Sequence, residues 1–205
     1  MMFYALVAFL SYLIGSIPNG LIIGKNFCGV DIRQFGSKNI GATNAFRVLG
    51  VKPAIAVLIT DALKGIVGVY LGSYLVGTAQ AELVGGIFAI VGHNWPIFLK
   101  FKGGRGVATG LGVIAILVPK VTLIVFAVWL VVVLITRYVS LASITAAFLV
   151  PVSMWLFNTQ WEFFCFGIVA ALFVIFRHKP NIERLLKGKE LKIKAGSKKD
   201  LMKKE

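Results

Sequence analysis

Apolar residues in this chain come in long runs separated by short polar segments rich in glycine and cations. Runs of about 20 residues match the hydrocarbon thickness of a bilayer at helical rise. Three such runs predict spans at Phe3–Gly24, Pro53–Val76 and Leu83–Leu99. The first loses apolarity toward its end, at Ser16, Pro18 and Asn19. A polar loop, Lys25–Lys52, follows it with five cations against one Asp, whereas the Gly77–Glu82 link holds no cation. From Val107 to Thr136 the chain is apolar for 30 residues, broken only at Pro119-Lys120. One long helix there would put Arg137 and the basic C-terminal tail on opposite faces of the membrane. A hairpin at Pro119-Lys120 instead gathers the basic loops on one face, as the positive-inside rule demands. The pattern therefore predicts Val107–Val118, short and only partly spanning, then Val121–Thr136, Val139–Phe157 and Trp161–Phe176. The expectation is an all-α, polytopic integral membrane protein of about seven transmembrane helices, N-terminus outside and C-terminus cytoplasmic.

Composition agrees: 58% of residues are hydrophobic and mean hydropathy is +0.87. One membrane domain, 1–186, and a basic cytoplasmic tail, 187–205, account for the chain. The N-terminus has neither a basic leader nor a small-residue cleavage site and reads as a span, not a removed signal. A net charge of +14 would suggest nucleic acid in a soluble protein. Here the cations sit in loops and tail, so the expected partner is the anionic bilayer surface and not nucleic acid. From Arg177 onward there are eleven cations and four acids, the pattern of a solvated, lipid-facing segment whose end, 195–205, is expected to be disordered. Cys28 and Cys165 have no metal or disulfide spacing and read as unpaired thiols. Within the second span, Asp61 and Lys64 stand at i and i+3, close enough to pair, and near an interface.

Four polar clusters fall on the predicted cytoplasmic side. They are Gly36–Asn44 (GSKNIGATN) with Arg47, Gly92–Thr109 (GHNWPIFLKFKGGRGVAT), Arg137–Ser143 (RYVSLAS) and His178–Leu185 (HKPNIERL). Glycines, amides, hydroxyls and cations dominate, and carboxylates are few. Singly, each cluster is explained by helix caps, close packing or topology-setting charges. Together they suit an anionic ligand at the membrane surface. The Gly103-Gly104-Arg105-Gly106 run, with Lys102, can form a backbone nest beside a guanidinium. No His, Asp or Glu set has metal-ligand spacing, so neither a metal nor another cofactor is expected. A Walker loop and a G-x-S-x-G elbow are both missing. The H-x-x-x-x-D box of many acyltransferases would need Asp at position 98, where Phe98 stands.

These four motifs, in this order and over nearly the whole chain, resemble those of the bacterial acyl-phosphate:glycerol-3-phosphate acyltransferases. The resemblance implies an inner-membrane enzyme, active site toward the cytoplasm. It would transfer a fatty acyl group from acyl phosphate to the 1-hydroxyl of glycerol 3-phosphate, giving lysophosphatidic acid and phosphate. This is the first acylation of phospholipid synthesis. One position departs from the family pattern: the glycine-rich run there usually reads G-G-K-G, and here Arg105 replaces the lysine. Arginine keeps the charge and adds a planar fork, but its geometry differs.

With both substrates phosphorylated, one site must hold two anions, which requires several cations and backbone donors. Gly103–Gly106 with Arg105 is expected to hold one phosphate, and Ser37, Asn44, Arg47 and Lys64 the other. Asn39, Thr43, Lys102 and Ser140 are expected as further contacts. Asn181, His178 and Ser143 would orient the glycerol hydroxyls, and the acyl tail would lie between helices. His93 is the candidate general base. The competing route is proton transfer to a substrate phosphate, and it is preferred. The protein is expected to act as a monomer. The alternative class, a small transporter of phosphorylated solutes, requires ionisable residues deep in the bilayer and paired halves of the chain, which are not evident.

Overall fold

The computed structural model describes residues 1–194, so the disorder expected for 195–205 lies outside the described residues. Every described regular element is helical: α1 (Met2–Ser16), α2 (Asn19–Ile22), α3 (Ala42–Leu49), α4 (Val51–Leu75), α5 (Ala79–Asn94), α6 (Val107–Leu117), α7 (Pro119–Thr136), α8 (Val139–Leu156), α9 (Trp161–Arg177) and α10 (Lys179–Leu186). A π turn, Ile23–Phe27, extends α2, and a 3-10 turn, Ile97–Leu99, follows α5. Five helices or helix groups are long and apolar enough to cross a membrane, and α9 passes the same test only when taken together with α10, across a 57° bend. The seventh expected span, α6, is an apolar helix of only 11 residues. The hairpin expected at Pro119 is present. Pro119 opens α7, where its missing N–H costs no hydrogen bond.

The first span departs from a single helix. Pro18 lacks an N–H and breaks it after Ser16. Carbonyls released from the helical ladder inside a membrane protein need donors, and Ile17 O accepts from both Asn19 N, at 3.0 Å, and Lys64 Nζ. Asn19, turned inward by the same break, donates Nδ2 to Asp61 Oδ1 at 3.2 Å. Lys64 Nζ also donates to Asp61 Oδ1 at 2.8 Å, forming the expected i,i+3 pair. Asp61 and Lys64 lie mid-helix in α4, 2% and 4% exposed.

Small residues bring the helices close. A Cβ on Gly112 would lie 2.0 Å from Ala62 O, and one on Gly65 would lie 2.1 Å from Thr109 O. The first turns of α6 are therefore pressed against the middle of α4, beside Asp61. A core of Val69, Val113, Val121, Val125, Met154, Phe163 and Phe166 joins α4 and α6 to α7, α8 and α9. Cys28 and Cys165 are free, as expected.

Residues 187–194, expected in the tail, lie against this body. Glu190 is 7% exposed, Ile193 N donates to Arg137 O at 2.7 Å, and Ile193 packs with Val133, Val139 and Ala142. The apolar and acidic side chains between the lysines anchor what the lysines alone would have left in solvent.

Candidate active site

All four polar clusters converge on one cavity of about 110 Å³. The Gly36–Asn44 segment and Arg47 form one wall, Arg105 and the start of α6 a second, and Ser140, Ser143, His178, Asn181 and Glu190 a third. Asp61 from α4 and His93 from α5 complete the lining. Thus Ser37, Asn39, Thr43, Asn44, Arg47, His93, Arg105, Ser140, Ser143, His178 and Asn181 meet as expected.

Their parts differ from expectation in several places. Asn44 is 1% exposed and organises its own loop. Its Oδ1 accepts from Ser37 N at 2.8 Å, while Nδ2 donates to Ile32 O and Asn39 O at 2.7 and 2.8 Å. Asn39 Oδ1 accepts from Gly41 N at 2.8 Å. These amides shape the wall from which Ser37, Thr43 and Arg47 face the cavity. Lys64 does not line it, being committed to Asp61 and Ile17 O. Lys102 is exposed and also stands outside the lining.

The glycine-rich run is not the open nest the sequence suggested. It doubles back on the end of α5, where Gly103 N donates to Asn94 O at 3.2 Å and Gly104 N to His93 O at 3.0 Å. Two of its amides are therefore spent within the protein. The glycines serve close approach: a Cβ on Gly104 would lie 2.0 Å from His93 Nε2, and one on Gly103 would lie 2.3 Å from His93 O. Gly106, at φ 77°, turns the chain into α6. The first helical bond there is Gly110 N to Gly106 O, which leaves the amides of Val107 and Ala108 at the cavity without an intrahelical acceptor. The donors left to meet an anion are thus Arg105 and the first turn of α6, where the helix dipole also favours negative charge.

Charge follows the same logic. Burial, reinforced by Arg184, Arg177 and Arg47, lowers Arg105 to about 10 despite the opposing influence of Glu190. Arg105 stays cationic at neutral pH, and among the described residues it has no ion-pair partner. An incoming dianion would relieve that repulsion.

Glu190 was missed in the sequence, where it stands between lysines and reads as a solvated tail residue. Burial alone would raise its carboxyl, but hydrogen bonds from Asn181, Arg184 and Ser140 outweigh it and hold the group below its ordinary value. Its Oε1 accepts from Asn181 Nδ2 at 2.7 Å and Ser140 Oγ at 2.9 Å, and Oε2 accepts from Arg184 Nε at 2.7 Å. With Nδ2 so engaged, Asn181 Oδ1 is buried and unpartnered. His178 Nδ1 donates to Val174 O at 2.8 Å, which leaves Nε2 as an acceptor. Burial, with Arg105 and Arg177 nearby, lowers His178 to about 4, so the ring is neutral. A neutral imidazole and an amide oxygen are two acceptors suited to the hydroxyls of a small polyol.

The His178 shift has a testable consequence. Its folded pKa is below the unfolded value of about 6.5, so the stability it contributes is complete above pH 6.5 and lost as pH falls toward 4. Thermal unfolding in detergent is expected to drop between those limits, and less steeply in His178→Asn.

A second cavity, about 190 Å³ and almost wholly apolar, runs between α6, α7, α8 and α9. It shares Leu58, Val107, Ala108, Trp129 and Ser143 with the polar one, so the two meet along a common wall. Trp129 Nε1 donates to Ser143 Oγ at 3.2 Å across that junction. From there the apolar cavity deepens past Ala146 to Val150 on α8 and past Leu111 to Ile114 on α6, about 10 Å at helical rise.

Comparison with known proteins agrees with this architecture. Residues 5–188 match the family model described as glycerol-3-phosphate acyltransferase. The glycerol-3-phosphate acyltransferase of Fusobacterium nucleatum is 50% identical over 185 residues, covering 90% of this chain and 95% of the relative. That of Desulforudis audaxviator is 49% identical over 185 residues, covering 90% and 93%. Among solved structures, PlsY (YgiH), an integral membrane glycerol 3-phosphate acyltransferase, superposes in its glycerol 3-phosphate form with TM-score 0.88 at 39% identity, covering 93% of this chain and 96% of that one. Its lysophosphatidic acid form gives TM-score 0.85 at the same identity, covering 92% and 94%. With the family model spanning nearly all of the helical body and its relatives matched almost end to end, this chain belongs to the glycerol-3-phosphate acyltransferase family.

Proposed function

We propose that this multi-pass membrane acyltransferase moves a fatty acyl group from acyl phosphate to the 1-hydroxyl of glycerol 3-phosphate. The products are lysophosphatidic acid and inorganic phosphate, released at the cytoplasmic face of the bacterial inner membrane. The observation that carries this reading is the shared wall between the two cavities. A cationic polar pocket fused to an apolar one fits a molecule with a phosphate at one end and a hydrocarbon chain at the other. Both the acyl phosphate donor and the lysophosphatidic acid product have that form.

Arg105 and the first turn of α6 hold one phosphate, while Ser37, Thr43 and Arg47 face the other from the opposite wall. His178 Nε2 and Asn181 Oδ1 accept hydrogen bonds from the glycerol hydroxyls. The 1-hydroxyl oxygen attacks the acyl carbon at the junction, the bond from that carbon to the bridging phosphate oxygen breaks, and phosphate leaves. The hydroxyl proton passes to a phosphate oxygen, a group that titrates at about pH 6. His178, lowered by burial to a pKa of about 4, is too weak a base to do this well. His93 is closed in, with Nδ1 3.7 Å from Asp61 Oδ1 and Nε2 against the backbone of Gly104. It supports the loop, and no base beyond the substrate is needed. His93→Gln is accordingly expected to keep kcat within about tenfold of wild type while raising KM for glycerol 3-phosphate. A loss of about 10³ or more in kcat with the fold intact would make His93 the base.

A transporter of phosphorylated solutes is disfavoured because Asp61 and Lys64, the charges deepest in the helices, neutralise each other. The test is to give purified protein palmitoyl phosphate and glycerol 3-phosphate. The expected result is one lysophosphatidic acid per phosphate released. Product from palmitoyl-CoA only would overturn the donor assignment, and solute flux in liposomes without product would overturn the enzyme reading.

A further inference from the structure

From the position of Arg177 we infer that it is a positioning residue, a clamp that fixes the glycine-rich loop and so sets where Arg105 meets its phosphate. The inference rests on the reading of that loop as a phosphate site. Arg177 closes α9, where an arginine is ordinarily explained by snorkelling or by the helix dipole. Its contacts are more specific. Nη2 donates to Gly104 O at 2.6 Å, and the guanidinium lies 5.6 Å from the centroid of the Trp95 ring. It does not line the polar cavity, and among the described residues it has no ion-pair partner. Its Nη2 is spent on the protein's own backbone, while Nε is buried without a partner.

That backbone bond matters because of which peptide it holds. Gly104 O belongs to the unit that also carries the Arg105 N–H, and a trans peptide is planar. Holding the oxygen toward Arg177 points the Arg105 N–H the opposite way and fixes the direction in which the Arg105 Cα leaves. Gly104 on its N-terminal side leaves this peptide easy to rotate without such a hold. The clamp is braced in turn. Trp95 O accepts from Tyr12 Oη at 2.9 Å, and the Trp95 ring stands 5.3 Å from that of Phe173, one turn before Arg177 on α9. Phe173 also lines the apolar cavity, so the brace reaches from the acyl side of the site to the phosphate side.

The dipole and snorkelling explanations require only a cation, so they expect lysine to replace Arg177 without effect. A clamp requires the planar fork, which bonds Gly104 O while stacking on Trp95. The experiment compares wild type, Arg177→Lys and Arg177→Gln by hydrogen exchange of the amides of Gly103 and Gly104, whose bonds to Asn94 O and His93 O close the loop. It also measures KM and kcat with glycerol 3-phosphate. Exchange at those amides is expected to rise about tenfold in Arg177→Gln and less in Arg177→Lys, with α4 and α8 unchanged. KM is expected to rise about tenfold and kcat to change less than about threefold. Unchanged loop exchange in Arg177→Gln overturns the clamp. Exchange that rises equally throughout the helices does so too, as would a lysine variant identical to wild type. A loop that opens in Arg177→Gln, in a protein whose wild type makes no lysophosphatidic acid, supports the clamp and sinks the enzymatic reading instead.

Discussion

Replacing Arg105 by glutamine is expected to lower kcat/KM for glycerol 3-phosphate by roughly a hundredfold or more, with the helical fold intact. Arg105 is the cation of the glycine-rich loop, it lines the polar cavity, and no carboxylate among the described residues neutralises it. Burial, with Arg184, Arg177 and Arg47 adding to it, lowers its pKa to about 10, so a phosphate would relieve both the desolvation and the repulsion. Removing one partner of a largely desolvated, charge-assisted contact costs about 3 kcal/mol, and each 1.36 kcal/mol is about tenfold in rate. Arg105→Lys restores the cation but not the fork and is expected to return to within about tenfold of wild type. Steady-state kinetics with palmitoyl phosphate and varied glycerol 3-phosphate check both variants. A glutamine variant with near-normal kcat/KM would remove Arg105 from the phosphate site.

Gly104→Ala is expected to be comparably damaging, for a reason of packing. The new methyl would lie 2.0 Å from His93 Nε2. His93 is 4% exposed and backed by Asp61, which is itself held by Lys64 and Asn19. The ring is held between Gly104 and Asp61, so the loop is expected to move and carry Arg105 with it. A displacement of about 1 Å at a positioning group costs about a hundredfold. The loss should appear chiefly as a raised KM for glycerol 3-phosphate. Combining Gly104→Ala with His93→Ala removes the clash and is expected to recover part of it, giving a strongly non-additive double-mutant cycle. Additive losses would mean that the two residues do not act through their contact.

Much of the architecture was legible because apolar run length is a coarse and robust signal. The Pro119 hairpin and the Asp61–Lys64 pair followed from it and from helical spacing. What escaped depended on contacts between distant segments. Pro18 marks a possible break, but only the fold brings Lys64 to the carbonyl that the break frees. Glu190 looks like one acid in a basic tail until Ser140, Asn181 and Arg184 are folded around it. The glycine-rich run borders the cavity, yet its close packing against α5 was not readable from the motif. Gly103 and Gly104 are small because His93 lies against them, and their amides are spent on α5, a tertiary constraint that a local motif does not encode. Asn44 and Lys64 likewise have the chemistry of phosphate ligands but are taken up by the protein's own backbone and carboxylate.

The fused cavities make the most direct demand on acyl-chain length. Ala146 stands one turn below the junction residue Ser143, on the wall of the apolar cavity and away from the polar one. Ala146→Phe fills that space, so the decisive measurement is kcat/KM of wild type and variant with palmitoyl phosphate and with butyryl phosphate at varied glycerol 3-phosphate. If one amphiphilic site holds the donor, the variant loses about a hundredfold with the long chain, keeps most of its rate with the short one, and leaves KM for glycerol 3-phosphate unchanged. Equal losses with both chains, or no loss with either, would contradict the assignment of the apolar cavity to the acyl group.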